Sequence, residues 1–461
     1  MPLFSKNFVD FIIEPTWKLI ISLQSFYLEQ IISDKEMIFS QEELNIMQAE
    51  NHNYSRGYES DDEEETYGLE GLVKELIKFL IVSLENNQVM KKLKNYLPMF
   101  LISIKNYCII TNETYSLSLN DPCNFVSDVY NDLDCSSLRF SSMKLVKSIM
   151  NKIDYDNVFC FIKAIISEFK NDPNNNVYSP LVMFDNSKNL GPLIKNLNEN
   201  SDYIMRKCEA NLFLIGTIIN NLKILIKKKK LDFEKIKEIL FFLHGLLQAP
   251  KSILSDRAIW CIGKISEIFV NEKSILIENF YFIANFFISL NNNLISELIS
   301  SKCLKEIADL ILIGNKEEKI IESNFVISII NRNIRLFQLS SEETINIPIE
   351  SIIAISKLNK QSALADSSNL INLVLETYLK YYNETNISRK LIQLIELWSS
   401  NQETEKQVFE FFIPLLLHLT DEYFSRLSMQ ISIQNYLDIR KTLSIQIIKP
   451  QIKINTENIP V

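Results

Sequence analysis

Five acidic side chains in a row, Asp61, Asp62, Glu63, Glu64 and Glu65, are the densest chemical feature of this sequence. They stand in "YESDDEEETYGLEGLVKELIKFL", where a strongly helical apolar pattern follows at once. A second acidic group, Asp121, Asp128, Asp132 and Asp134, lies in "NDPCNFVSDVYNDLDCSSLRF". For acid–base catalysis, paired carboxylates need a desolvated cleft that moves their pKa values. A polyacidic loop supplies no such cleft. As a source of field along one edge of a concave surface, the same groups attract a basic partner and screen its charge. The bland alternative is a solvated insertion that keeps neighbouring surfaces apart. Spacing alone leaves both readings open.

The rest of the inventory is thin for an enzyme. His52, His244 and His418 are dispersed, and "FFLHGLL" and "LLLHLT" place the last two in apolar helical runs, as packed residues rather than ligands. Seven cysteines (Cys108, Cys123, Cys135, Cys160, Cys208, Cys261, Cys303) lie far apart without a C-x-x-C. Most fall within apolar helical patterns, where a thiol behaves as a small hydrophobe. That usage fits a reducing compartment better than a disulfide framework. No Cys/His set has zinc spacing, and no G-x-S-x-G, phosphate loop or dinucleotide fingerprint occurs. Catalytic residues, cofactors and metal ligands are therefore not expected. "KKKK", Lys227 to Lys230, follows a long helical run and reads as its solvated C-terminal end, where cations suit the macrodipole.

The elements that must position these residues read as helices throughout. Apolar positions recur at i, i+3, i+4 and i+7 in segment after segment, from "FVDFIIEPTWKLIISLQSFYLEQII" to "TEKQVFEFFIPLLLHL". Only 8 Gly and 12 Pro are present, and this scarcity argues against hairpins, bulges and phosphate loops. Ser255 with Asp256, and Asp366 to Ser368, offer N-cap chemistry between helices. The helices fall into pairs with a period of roughly 40 residues, the size of HEAT or armadillo units. A basic residue near the start of several second helices recurs: Arg206 in "MRKCEANLFLIG", Arg257 in "DRAIWCIGKI" and Lys302 in "SKCLKEIADL". One amphipathic pair cannot close a core alone, so neighbours stack. The expected fold is an all-α solenoid of HEAT/armadillo-like helical pairs over residues 1–430. It is interrupted by an acidic insertion at 35–69 and an Asn-rich loop at 171–200, and followed by an irregular tail at 431–461.

The formal charge is −9, from 48 basic and 57 acidic residues. This disfavours nucleic acid, whose phosphates need clustered Lys and Arg, and favours basic partners. No apolar run reaches the roughly 18 residues needed to span a bilayer. The N-terminal residues "MPLFSKNFVDFIIEPTWKLI" carry Asp10 and Glu14 where a signal peptide would be apolar. A cytosolic or nuclear protein is expected.

Several of these segments, taken in order, resemble the importin-β (karyopherin-β) nuclear transport receptors, and most nearly their histone-carrying branch. The resemblance is carried by the acidic stretch ending in Gly, by "LKNYLPMFLISI", and by "NDPCNFVSDVYNDLDCSSLRFSSMKLV", in which Arg139 opens the next helix. Further support comes from "IMRKCEANLFLIG", "DRAIWCIGKISEIF" and "SSNLINLVLETYLKYYN". It runs from about residue 8 to about residue 400, as expected for the middle of a longer receptor. The family's N-terminal repeats, which hold its main Ran site and early pore-protein contacts, have no counterpart in it. The resemblance implies a HEAT solenoid that shuttles between cytoplasm and nucleus. Its partners would be basic cargo such as core histones, the Ran GTPase and nuclear pore proteins. It makes the two acidic clusters candidate cargo contacts.

Overall fold

The computed structural model describes residues 9–28, 68–93, 97–130, 137–152, 158, 161–162, 165–166, 202–227, 233–247, 253–291, 293–313, 320–359, 367–381, 383–399, 410 and 417. The chain divides into two compact units, Met1–Ala363 and Leu364–Val461. Among the described residues the structure is helical, with no strand. The all-α expectation holds. Most of the insertion at 35–69, the loop at 171–200 and the tail at 431–461 lie outside the described residues.

In the first unit a π-helical turn, Val9–Ile13, leads into α1 (Glu14–Tyr27). There follow α2 (Leu69–Glu85), α3 (Asn87–Leu93), α4 (Leu97–Ile104) and a 3-10 turn, Lys105–Cys108. Next come α5 (Asn112–Asn120), α6 (Pro122–Tyr130) and α7 (Leu138–Met150), then α8 (Asp202–Thr217) and α9 (Ile219–Lys227). The unit continues with α10 (Phe233–Leu246), α11 (Ile253–Ser266), α12 (Lys273–Ser289), α13 (Leu294–Leu312), α14 (Ser323–Leu339) and α15 (Asn346–Leu358). In the second unit α16 (Ser367–Tyr381) packs on α17 (Thr385–Ser399), burying Ile371, Val374, Leu391, Leu394 and Trp398.

The apolar spacing explains which face each helix buries. α2 buries Val73, Ile77, Leu80 and Leu84, and α14 buries Val326, Ile329, Ile330, Asn333, Leu336 and Phe337, a single stripe in each case. α11 differs: nearly all of its residues are buried, because it has helices on several sides. An inner row of packed neighbours runs α2, α7, α8, α11, α13, α15. Outside it, α10 packs on α11, α12 on α13 and α14 on α15. Two close approaches hold the inner row tight. A Cβ on Gly216 of α8 would lie 2.0 Å from the Trp260 ring of α11. One on Gly263 of α11 would lie 2.7 Å from Glu306 of α13.

Caps and breaks follow from local chemistry. Ser137 and Asn293 cap α7 and α13 by accepting from the Phe140 and Ser296 amides. Ser255 and Asp256, expected as a cap, instead lie inside the first turns of α11 and are buried. The Asp256 side chain bonds across to another helix, accepting from Ser296 of α13. Pro98 falls at the second position of α4, where its missing N–H costs no intrahelical bond. The described parts of the apolar run around it are α3, α4 and the 3-10 turn.

Candidate functional site

Of the nine acidic candidates, Asp61, Asp62, Glu63, Glu64, Glu65, Asp132 and Asp134 lie outside the described residues. Asp121 is half-buried at the start of α6. It accepts from the Asn124 backbone amide (3.1 Å) and from Asn124 Nδ2 (2.6 Å), the geometry of a helix cap. Asp128 is exposed on the same short helix, seven residues on, and therefore about two turns along one side. The structure brings these two onto one element.

The strongest electrostatic feature is buried, and its centre is Glu209 of α8, in "MRKCEANLFLIG". Arg139 of α7 grips it with both terminal nitrogens, Nη1 to Oε2 at 2.9 Å and Nη2 to Oε1 at 2.7 Å. Arg257 Nε of α11 adds a third bond to Oε1 at 2.6 Å. Burial by itself pushes the Glu209 carboxyl up, but the two guanidiniums outweigh it and hold the group below the usual carboxylate range. Aromatic rings surround the pair. The Arg257 guanidinium lies 4.0 Å from the Tyr130 ring centre, and that of Arg139 lies 4.0 Å from Phe213.

The basic residues also bond to main-chain carbonyls of other elements. Arg139 Nη1 donates to Cys108 O (2.8 Å), Arg206 Nη1 to Ile110 O (3.1 Å), and Lys302 Nζ to Tyr130 O (2.9 Å). On α14, Arg332 donates to Leu290 O and to the fully buried Glu297 of α13 (2.8 Å). The recurrent basic residues of the sequence thus tie elements together. Arg206 and Arg257 each stand at the fifth residue of their helix, whereas Lys302 is at the ninth position of α13. Sequence reasoning marked Arg139, Arg206, Arg257 and Lys302 but missed Glu209, Glu297 and Arg332. For Glu209 the available signal was an acidic residue one turn after Arg206 inside an otherwise apolar run; Glu297 and Arg332 carry no such local pattern.

The remaining candidates for chemistry are packed away. His244 stacks on Phe282 at 4.1 Å, and burial lowers its pKa to about 4. His52 and His418 lie outside the described residues. Cys108, Cys123, Cys208, Cys261 and Cys303 are buried thiols outside any disulfide, and burial pushes those of Cys108 and Cys261 up to about 12. Such thiols are poor nucleophiles. Among the described residues no three His, Cys, Asp or Glu side chains are grouped to hold a metal ion. No described helix is long and apolar enough to cross a membrane. What this arrangement does chemically is fix α7, α8 and α11 to one another, and α13 to α14, through buried charge. Compared with known proteins, the chain matches no family model and no curated protein.

Proposed function

We propose that this chain is an α-solenoid carrier of basic proteins, of the karyopherin type, with core histones as the favoured class of cargo. The observation that carries the reading is the ordered resemblance of its segments to the importin-β receptors, from the acidic stretch through "NDPCNFVSDVYNDLDCSSLRF" to "SSNLINLVLETYLKYYN". The inner row of helices in Met1–Ala363 supports it, since successive helices packed in order are how a solenoid builds a long surface. The charge of −9 supports a basic partner. In this reading no bond is made or broken. Cargo is held by many weak contacts and by charge complementarity from Asp61–Glu65 and from Asp121, Asp128, Asp132 and Asp134. Ran in its GTP state would release it, pore proteins would be transient partners, and the chain would shuttle between cytoplasm and nucleus.

The test is binding of the purified chain to a labelled core-histone dimer at two salt concentrations, with and without RanGTP. Salt-sensitive binding that RanGTP weakens is the expected result. Salt-sensitive binding indifferent to RanGTP would replace the carrier with a static acidic scaffold of histone-chaperone type. An absence of binding at both salt concentrations would overturn the reading.

A further inference from the structure

We draw no further inference here: the strongest candidate, the exposed apolar face that Phe11, Ile12 and Leu19 form on the Val9–Ile13 turn and α1, carries nothing because nothing in the structure shows what covers it.

Discussion

Glu209 and Asp256 sit in the same buried neighbourhood and titrate in opposite directions, and their partners explain why. Glu209 receives three bonds from two guanidiniums, which keep it charged. Asp256 has burial against it and only the Ser296 hydroxyl and the field of Arg257 in its favour, so its pKa rises to about 7. Glu209→Gln would leave Arg139 and Arg257 facing each other without the carboxylate. The expected loss is about 3–5 kcal/mol, read as a lower denaturation midpoint. For Asp256 the folded state binds the proton more tightly than the unfolded chain does. Stability is therefore greatest below the ordinary aspartate value and declines as pH rises through about 7. Asp256→Asn can still accept from Ser296 and carries no charge. It should stabilise the protein at pH 8, have little effect at pH 4, and flatten the curve between them. A variant equally destabilised at both pH values would mean that Asp256 is held charged. Glu209 acts on the acid side instead, where its stabilising effect is lost as falling pH protonates it.

Between helices the limiting quantity is distance. Gly216 faces the Trp260 ring at a separation no side chain tolerates, so Gly216→Ala must push α8 from α11 or turn the indole. Overpacking of this kind costs about 1–3 kcal/mol, and thermal denaturation should show it as a lowered midpoint. A milder perturbation is Ser137→Ala, which removes the cap of α7 and should cost about 1 kcal/mol. Which segments are helical was legible in the sequence, because a stripe such as Val326, Ile329, Ile330 and Phe337 is written at helical spacing. The break at Ile218 between α8 and α9 was not. Its backbone amide is shared between the Leu214 and Ile215 carbonyls, a local tightening that leaves the apolar period unmarked. Asp256 misled for a related reason: short polar residues cap helices, and they also bridge buried helices, and only the neighbour Ser296 decides between the two. The crossing of α6 onto α13 was likewise invisible, since no local pattern encodes a contact across 172 residues.

At the scale of the molecule the charges divide into two populations with different work. The inter-helix set, with Glu209, Arg257 and Glu297 buried and Arg139 and Arg332 half-buried against them, is committed to holding helices at fixed spacing, and salt in solution reaches it little. A net charge of −9 leaves an acidic excess whose field in solvent is screened by salt. The two populations can be separated by experiment. Replacing Asp61, Asp62, Glu63, Glu64 and Glu65 together with Asn and Gln should leave the denaturation midpoint unchanged. If these residues hold basic cargo, it should weaken histone binding at low salt by about tenfold or more, since exposed pairs contribute ~0.2–1 kcal/mol each. The same change should flatten the dependence of affinity on salt, and at high salt the altered and unaltered chains should converge. Affinity unchanged at low salt would make the acidic run a solvated insertion. Asp121 provides the internal contrast: as the cap of α6 it belongs partly to the structural population, so Asp121→Asn, which can still accept the Asn124 amide, should affect cargo less than loss of the five-residue run.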